Sequence, residues 1–512
     1  MLRQRAVSPC RRLPHVKANA LSAHTSDSRP PQDGASGAAE SASVAGVLVV
    51  LLSTAFVMML NETTVAVALP AIMGEFHVSA ATAQWLLTGF MLTMAVVMPT
   101  TGWMLERFST RAVFIVAVAA FLLGTLLAAL APWFGVLLLG RLFQGAGTAV
   151  VLPLMMAVTM TLVAAERRGT VMGLIAVVMA VGPALGPTVA GAVLSAASWH
   201  AIFWVMVPLV AASGLLGLAR LRNVGAPRRL PLDVVSVVLS VLAFGGLIYG
   251  LSSIGQILAG GSAAVVALSV TGVGAVALVL FALRQIRRAR TGEVLLDLRP
   301  LAVRGFTLPI IVLLILFGAM LGVMNTLPLY LQGSLLATAL VAGLALMPGG
   351  LVEAVVSPLA GRLFDRVGPR PLIIPGLVIE VGSLVWLSTV DESTAVAEII
   401  AIHVVFSIGL AALFSPLMTT ALGSLPRELY GHGSAILNTG QQLAAAAGTA
   451  VMIAIYSVVS DGARDAGAAE TTALADGANS AFLTSAGLVG IALVLSLFIR
   501  APRSGSRTEI EG

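Results

Sequence analysis

Ionisable side chains interrupt long apolar stretches of this sequence, where a charge is costly. Glu62 and Arg141 each stand inside such a stretch. An Arg near the middle of an apolar helix costs at least about 2.5 kcal/mol on insertion scales, so it should face a cavity or a partner. If Glu62 and Arg141 meet, they form a pair that can take up and release a proton. The alternatives are an acid that pairs laterally with another helix and an Arg with a purely structural role.

Three further ionisable residues lie in apolar stretches, namely Glu353, Glu380 and His403. Histidine titrates nearest to neutral pH, but a lone His in an apolar helix is more often a hydrogen-bonded core residue. Asp233 and Glu398 lie near the ends of their stretches and are predicted to be interfacial. No motif ranks these candidates.

The sequence contains none of the motifs that would indicate an enzyme or an ATP-driven pump. It has no G-x-S-x-G elbow in a strand-turn-helix setting, no H-E-x-x-H pair and no Walker A pattern. Cys10 is the only cysteine, which excludes an intrachain disulfide and a multi-cysteine metal site. We therefore expect no catalytic residues, no metal and no cofactor, and an ion gradient as the energy source.

The composition is that of an integral membrane protein. Of the 512 residues, 58% are hydrophobic and 10% are charged, whereas a soluble domain carries about 25% charged residues. The mean hydropathy is +1.00. A membrane-spanning helix needs about 20 apolar residues. Stretches of that length predict fourteen spans, at residues 45–71, 79–103, 112–131, 134–162, 170–196, 201–220, 232–254, 262–284, 306–330, 336–360, 371–390, 395–423, 434–458 and 480–499.

The basic residues indicate how the chain is oriented. The net charge is +6, but the Arg residues are scattered between apolar stretches rather than along one polar face, which argues against a nucleic-acid partner. Alternate connections hold nearly all of these Arg residues, as cytoplasmic loops do. We therefore expect a plasma-membrane protein with both termini in the cytoplasm. Residues 1–43 are predicted to be a disordered cytosolic tail, with a transit peptide as the competing interpretation.

One loop motif occurs twice, after the second and the tenth predicted spans. The two copies read GWMLERFSTR from Gly102 to Arg111 and GRLFDRVGPR from Gly361 to Arg370, 259 residues apart. Internal repeats around a central site are typical of secondary transporters. The predicted organisation is a six-helix bundle at 44–221, a linker with two inserted helices at 222–304, a second six-helix bundle at 305–500 and a cytosolic tail at 501–512.

These loops resemble the G-x-L-A-D-R-x-G-R-R motif of the major facilitator superfamily, and the chain looks like its drug:proton antiporter branch with fourteen helices. The resemblance implies an all-α integral membrane fold. A carboxylate that faces Arg groups can latch one helix bundle to the other; the alternative is that the Arg residues only orient the chain. The implied gating residues are Gly102, Glu106, Arg107, Arg111, Gly361, Asp365, Arg366, Gly368 and Arg370.

Motifs inside the predicted spans also resemble this branch. The segment from Gly140 to Gly147 is similar to a fourth-helix motif that implies proton coupling by Arg141. In the first span, Asn61 occupies the usual Asp position and the acid follows as Glu62, turned by about 100° on a helix. The fifth span carries an antiporter motif, for which the alternative is ordinary helix packing. Its residues are Gly182, Pro183, Gly186, Pro187 and Gly191.

Amide and aromatic residues in several spans resemble further branch segments that would line an adaptable substrate cavity. For Trp85 and Tyr330 the alternative is an anchor at the membrane surface. Gln442 stands where the branch often has an Arg. The residues assigned to the cavity are Asn61, Gln84, Trp85, Gln144, Asn325, Tyr330, Asn438 and Gln441.

These observations predict a proton-coupled secondary transporter that exports amphipathic drugs or other small molecules by alternating access. Its partners would be the substrate, protons and the lipid bilayer, and we expect it to work as a monomer. Two alternatives stay open. One is a metabolite, sugar or lipid transporter of the same superfamily, and the other is a membrane receptor or scaffold that transports nothing.

Overall fold

The computed structural model describes residues 33–221, 223, 231–289 and 293–499. This part of the chain contains fourteen helices long and apolar enough to cross a membrane, so the predicted fold class is confirmed. They are α1 (Val44–Phe76), α2 (Trp85–Arg107), α3 (Thr110–Ala129), α4 (Phe134–Leu162), α5 (Ala165–Ala196), α6 (His200–Arg220), α7 (Val234–Ser252), α8 (Gly261–Arg288), α9 (Arg304–Gly333), α10 (Val341–Val367), α11 (Arg370–Leu387), α12 (Val396–Gly423), α13 (Arg427–Asp465) and α14 (Glu470–Ser496).

The first helix begins before the predicted span. It runs from Asp33 into α1, so the last part of the predicted N-terminal tail is helical. Residues 1–32 of that tail and the predicted tail at 501–512 lie outside the described residues.

Local capping explains where several helices begin and end. Ser109 Oγ accepts a hydrogen bond from the Ala112 amide at the start of α3, with a length of 3.3 Å. Thr338 Oγ1 accepts one of 3.3 Å from the Val341 amide before α10. Gly368 ends α10 with φ +78, a conformation that favours glycine. Such signals allow short turns between most successive helices.

The helices form two bundles and an inserted pair. In the N-terminal bundle, α3 packs against α4 and α6, and α2 packs against α4. In the C-terminal bundle, α9 packs against α12, α13 and α14, and α12 also packs against α10 and α11. The inserted helices α7 and α8 pack against each other, and α7 also contacts α2 and α13. The inserted pair therefore lies against both bundles.

The two bundles contact each other mainly through α5 with α10 and α12, and through α13 with α2 and α4. Both loop motifs lie at one end of this interface, where α2 leads to α3 and α10 leads to α11. We call this end the motif end and the other the opposite end.

Apolar side chains occupy both the inside and the outside of the helix assembly. Phe114 and Leu413 are among the buried ones, whereas Val265 and Val276 of α8 and Leu351 of α10 are exposed. A helix that is apolar on every side is expected in lipid. Buried polar side chains are therefore the features that need an explanation.

Candidate functional site

Arg141 is the centre of a buried polar cluster in the N-terminal bundle. Its side chain is 0% exposed. Nη1 donates to Asn61 Oδ1 at 3.1 Å and to Gln144 Oε1 at 3.0 Å, and Nε donates to the Leu86 carbonyl at 3.1 Å. The guanidinium carbon lies 4.2 Å from the centre of the Phe90 ring. Neutral oxygens and one aromatic face, from α1, α2 and α4, therefore hold the positive charge.

Gln144 extends this cluster to α3. Its Nε2 donates to Thr125 Oγ1 at 3.0 Å, and Thr125 Oγ1 donates to the Phe121 carbonyl at 2.7 Å. Asn61 Nδ2 is buried and has no hydrogen-bond partner. The cluster therefore joins four helices and keeps one donor for a further acceptor.

The Glu62 carboxylate makes no salt bridge to Arg141 in the part of the chain that the structure describes, so the condition for the proton-exchanging pair is not met in this structure. Arg141 reaches residue 62 only through the main chain, with Nη2 3.5 Å from the Glu62 carbonyl oxygen. The carboxylate Oε2 is buried without a hydrogen-bond partner. Helix geometry is the reason: Asn61 occupies the position that faces Arg141, and the next side chain is turned by about 100°. A carboxylate with one buried, unpartnered oxygen therefore lies on the residue next to the one whose side chain binds Arg141.

The glycines of the antiporter motif pack against the segment of α1 that carries this acid. A side chain at Gly182 would come within 2.8 Å of Met59 Cβ. A side chain at Gly186 would collide with Thr63 Oγ1 and lie 3.0 Å from the Leu60 carbonyl. Glycine at these two positions therefore allows α5 to approach α1 closely.

The prolines of the motif add a hydrogen bond between the same helices. Thr63 Oγ1 donates to the Pro183 carbonyl at 3.1 Å. That carbonyl is available because Pro187, four residues later, has no N–H to donate to it. Gly191 has no neighbouring atom within 4 Å of the position that a Cβ would take. The contact with α1 thus involves the first part of the motif and not its last glycine.

In the second copy of the loop motif, Asp365 binds the start of α5. Its carboxylate accepts hydrogen bonds from the amides of Gly169 at 2.7 Å and Thr170 at 2.8 Å, and from Thr170 Oγ1 at 2.6 Å. The α-helical part of α5 begins at Arg168, after a 3-10 turn, so these two amides belong to its first turn. First-turn amides have no partner within their own helix and favour a negative charge. Gly361 packs against the Gly169 main chain without room for a side chain, and Ser415 Oγ donates to the Gly169 carbonyl at 2.8 Å. Asp365 therefore joins the two bundles.

In the first copy, Glu106 faces a histidine at the start of α13. His432 is buried, and its Nε2 lies 3.4 Å from Glu106 Oε1. Its Nδ1 accepts a hydrogen bond of 3.2 Å from the Asp297 amide, so a neutral ring carries its proton on Nε2, toward Glu106. Gly102 packs against the ring without room for a side chain. This contact joins the two bundles to the linker before α9.

The linker end of this contact is itself charged. Asp297 accepts hydrogen bonds from the Arg299 amide at 2.9 Å and from Arg299 Nε at 2.7 Å. Burial alone would raise the pKa of the Asp297 carboxyl, but the hydrogen bonds from Arg299 and the charge of its guanidinium outweigh it and hold that pKa below its ordinary value. Asp297 is therefore an anion at neutral pH.

The Arg residues of the loop motifs bind their own bundles rather than the motif carboxylates. Arg111 Nη2 donates to the Leu218 carbonyl at 2.6 Å, and Arg370 Nε donates to the Ile499 carbonyl at 3.0 Å. The predicted latch between a carboxylate and Arg groups is thus replaced by a latch to a helix start and to a His. Two motif residues have other surroundings: Arg107 is half-buried and Arg366 is exposed.

Comparison with known proteins decides the family, because residues 51–449 match the Major Facilitator Superfamily. The chain belongs to this superfamily. It is 39% identical to a lincomycin resistance protein LmrB from Listeria monocytogenes over 459 residues, which cover 89% of this chain and 96% of the relative. A multidrug resistance protein B homolog from Mycobacterium tuberculosis is 29% identical over 399 residues, which cover 77% of this chain and 72% of the relative.

A solved structure shows the same fold. The human organic anion transporter MFSD10 (TETRAN) superposes with a TM-score of 0.63 at 16% identity, over 88% of this chain and 99% of that one. The resemblance to the drug:proton antiporter branch with fourteen helices is therefore confirmed. This facilitator is a multi-pass membrane transporter and not an enzyme.

The amides that were assigned to the substrate cavity of this facilitator lie in separate places. Asn61 and Gln144 belong to the Arg141 cluster. Asn438 is buried on α13, where its Nδ2 lies 3.2 Å from Met156 Sδ of α4. The amide at 438 therefore lies at the interface between the bundles. Gln441 is also buried on α13, and its Nε2 has no partner.

The other cavity candidates have different surroundings. Asn325 Nδ2 donates to the Leu321 carbonyl at 2.7 Å and lies 3.3 Å from Thr449 Oγ1. Tyr330 is fully buried and donates to the Asp391 carbonyl at 2.7 Å, in the loop between α11 and α12. Gln84 and Trp85 are exposed at the start of α2. Tyr330, Gln84 and Trp85 thus lie at the opposite end.

The remaining ionisable candidates of the facilitator lie in the C-terminal bundle. Glu353, Glu380 and His403 stand on α10, α11 and α12, where the last two are buried. Glu398 accepts a hydrogen bond of 3.1 Å from Trp386 Nε1 at the opposite end. No group of three His, Cys, Asp or Glu residues suited to a metal ion occurs in the part of the chain that the structure describes.

Asp233 joins the two inserted helices. It caps α7 by accepting from the Ser236 amide at 3.3 Å, and it binds Arg284 Nε and Nη2 of α8 at 2.8 and 2.9 Å. Burial alone would raise the pKa of the Asp233 carboxyl. Hydrogen bonds from Arg284 and Ser236 and the charge of Arg288 outweigh it and hold that pKa well below its ordinary range. The pair is thus fixed at the motif end by an ionised acid.

Sequence reasoning missed the partners of the two motif carboxylates, Thr170 and His432. A signal was present: the dipeptide Gly431-His432 follows Gly169-Thr170 by 262 residues, close to the 259 that separate the loop motifs. The two copies of the repeat therefore include both the motif acid and the helix start that it contacts.

Proposed function

We propose that this facilitator exports amphipathic drugs in exchange for protons across the plasma membrane, by alternating access to a site between its two bundles. The observation that supports this most directly is the relation between Arg141 and Glu62. The cation has neutral partners, and a carboxyl group beside it has a buried oxygen without a partner. Intramembrane ionisable groups arranged in this way are expected at ion pathways.

The proton acts through the position of α1. When Glu62 is ionised, it is attracted to Arg141 and draws α1 toward α4; a proton removes this attraction. α1 contacts α5 at Gly186, and α5 contacts α10 at the motif end through Gly169 and Asp365. A change in the charge of Glu62 therefore reaches the interface between the bundles.

The motif end is the cytoplasmic end in this proposal. Arg107, Arg111, Arg362, Arg366 and Arg370 lie there, and cytoplasmic loops carry such an excess of Arg. An even number of spans supports a cytoplasmic location for both termini. With Asp365 bound to the start of α5, the structure corresponds to a state that is closed toward the cytoplasm.

The relatives indicate which drug to test first. The relative from Listeria monocytogenes is a lincomycin resistance protein, and the relative from Mycobacterium tuberculosis is a multidrug resistance protein B homolog. A buried apolar environment with a few amides suits an amphipathic molecule. We therefore take lincomycin as the first substrate.

The test measures lincomycin resistance in cells that express the chain, and proton-driven lincomycin efflux from vesicles. Wild-type resistance should fall when a protonophore is added, and Glu62→Gln should abolish coupled efflux. Glu75→Gln is a matched control, since Glu75 accepts a hydrogen bond of 2.7 Å from Trp199 at the opposite end. Unchanged coupled efflux in Glu62→Gln would remove Glu62 from this role. No flux of any drug in proteoliposomes would favour a receptor or scaffold.

A further inference from the structure

The C-terminal bundle contains buried ionisable groups that the proposed mechanism does not use. Glu380 on α11 is 0% exposed, and neither of its carboxyl oxygens has a hydrogen-bond partner. His403 on α12 is 4% exposed, and neither of its ring nitrogens has one. Buried polar groups are nearly always hydrogen-bonded, because leaving one unpaired is strongly unfavourable. Two such groups in one bundle therefore require an explanation.

The internal repeat shows that His403 stands where the other bundle has Arg141. The two residues are 262 apart, and Gly349 follows Phe90 by 259. In the N-terminal bundle, Arg141 lies over the Phe90 ring. In the C-terminal bundle, the His403 ring packs against Gly349 and takes the space that a side chain there would need. A group that titrates thus replaces a permanent cation.

The same repeat shows that Glu380 stands where the other bundle has a core phenylalanine. Gly147 of α4 packs against Phe121 of α3, and a Cβ there would lie 2.8 Å from Phe121 Cβ. In the C-terminal bundle the equivalent glycine is Gly409, 262 residues after Gly147, and it packs against Glu380. Glu380 follows Phe121 by 259 residues. An apolar ring fits this position in the N-terminal bundle, so packing alone does not call for an acid.

The surroundings of Glu380 contain two other titratable groups. Glu353 of α10 is half-buried, and α10 contacts α11, the helix that carries Glu380. His403 lies one to two helical turns from Gly409 on α12, and Gly409 is the residue that packs against Glu380. The His403 ring stacks with the Phe406 ring, with centroids 6.1 Å apart. On α14, which also packs against α11, no ionisable residue occurs between Asp476 and Ile499. The permanent cations of α10 and α11 are Arg362, Arg366 and Arg370 at the motif end, and α12 and this part of α14 contain none.

We propose that Glu380 is a second proton-binding site of this transporter, with Glu353 and His403 as its titratable neighbours. Proton binding converts the carboxylate to a carboxylic acid by forming one O–H bond, and release breaks the same bond. A proton is favoured over a drug or a metal ion because the carboxylate is fully enclosed and a Cβ on Gly409 would already lie 2.6 Å from Glu380 Oε2. The role of this proton in antiport rests on the proposed exchange of drug for protons.

Infrared difference spectroscopy of the purified full chain tests the site without any transport. Spectra recorded across a pH titration should contain a carbonyl band from a protonated carboxyl group that disappears at alkaline pH. Glu380→Gln should remove this band, and Glu380→Asp should restore a shifted one. Glu398→Gln is the matched control, because Glu398 is an exposed acid in the same bundle and should leave the band unchanged. Gel filtration and thermal unfolding show whether Glu380→Gln is folded.

Proteoliposome measurements then separate the two proposals. Glu380→Gln should lower the number of protons exchanged per lincomycin molecule by about one, while Glu62→Gln should abolish coupling. The second site would be overturned if the carboxyl band persisted at every pH. It would also be overturned if folded Glu380→Gln exchanged the same number of protons per lincomycin molecule as wild type. A third outcome is that lincomycin efflux by the wild-type protein does not depend on protons while the Glu380 band still titrates. That outcome would overturn the proposed exchange of drug for protons but not the proton-binding site at Glu380.

Discussion

Asn61 Oδ1 accepts a hydrogen bond of 3.1 Å from Arg141 Nη1 in the middle of the N-terminal bundle. The related antiporter pattern has an Asp at this position, so here the acid has moved by one residue to Glu62. If the proton must be carried beside Arg141, either position can supply the carboxyl group. The double variant Asn61→Asp/Glu62→Gln should therefore regain proton-driven efflux that Glu62→Gln loses.

The expected sizes of these effects follow from the contacts. Glu62→Gln should abolish coupled efflux, and the double variant should recover much of it, because an Asp at 61 can make a charge-assisted bond to Arg141. Vesicle efflux driven by an imposed pH gradient measures both. Asn61→Asp alone is the control for the new side chain. Equal loss in the single and the double variants would show that the exact place of the carboxyl group is essential.

Asp365→Asn should shift the transporter away from the state that is closed at the motif end. The carboxylate accepts three hydrogen bonds from the start of α5 with its two oxygens. An Asn side chain is neutral and has only one oxygen, so it cannot replace all three charge-assisted bonds. Bonds to a charged group contribute about 1.5–3 kcal/mol each, so losing part of this set should raise the open population about tenfold or more. The proposal assigns this end to the cytoplasm.

Thiol labelling measures that population. A Cys10→Ser background removes the only native cysteine. Ser357→Cys then places one thiol at a buried position of α10, where the Ser357 main chain packs against Gly173 of α5. Its labelling rate should rise in Asp365→Asn and stay at the background level in Glu166→Gln, which changes an exposed acid near the same helix start. A rate that does not change in Asp365→Asn would show that other contacts hold the interface closed.

Composition and spacing predicted most of the fold. The fourteen spans follow from apolar length alone, because a helix in lipid must be apolar over about 20 residues. The repeat of Gly102 to Arg111 at Gly361 to Arg370 predicted two copies of one loop motif, and both lie at the motif end. Helix ends were less certain: α13 extends from Arg427 to Asp465, beyond the apolar residues that predicted it.

The partners of individual side chains were the part that sequence could not supply. The sequence left open whether Glu62 meets Arg141, and in the structure the side chain of Asn61 faces Arg141 instead. Asp365 was expected to face Arg groups, but the amides of Gly169 and Thr170 lie nearer. Such choices depend on how two helices are rotated against each other. The sequence of a motif on one helix does not specify how that helix is rotated relative to its neighbour.

Asp233→Asn should destabilise the inserted helices at neutral pH. Asp233 is ionised there and binds Arg284 by two hydrogen bonds, while Arg288 adds a longer ion pair at 3.3 Å. The Arg side chains are about one-third exposed, so solvent screens part of the interaction. We expect a loss of roughly 1–2 kcal/mol in unfolding free energy, seen as a lower Tm in detergent.

The pH dependence of this loss has a definite sign. Because the pKa of Asp233 is depressed in the folded protein, its contribution is complete above the unfolded value of about 3.9 and disappears only as pH falls through the lower folded pKa. The Tm difference between Asp233→Asn and wild type should thus be constant from about pH 5 to pH 8. Asp461→Asn, which changes an exposed acid paired with Arg464, should cause little loss. A difference that shrank toward neutral pH would contradict the assigned charge.

Gly186→Ala should impair efflux, whereas Gly191→Ala in the same motif should not. A methyl group at 186 would collide with Thr63 Oγ1 and lie 3.0 Å from the Leu60 carbonyl, but one at 191 would meet no atom within 4 Å. Overpacking of this kind costs about 1–3 kcal/mol. The strain would push α5 away from the part of α1 that carries Asn61 and Glu62. Lincomycin efflux and protein yield, measured together for both variants, separate lost function from lost folding.

A second-site change tests whether Thr63 is the cause. Thr63→Ala removes the hydroxyl that the new methyl group would meet, although it also removes the hydrogen bond to the Pro183 carbonyl. The double variant Gly186→Ala/Thr63→Ala should therefore recover part of the efflux lost in Gly186→Ala, up to the level of Thr63→Ala alone. If the double variant is as impaired as Gly186→Ala, the contact with the Leu60 main chain limits the approach of the two helices. In that case only glycine at 186 allows α5 to hold the acid-bearing segment of α1 in place.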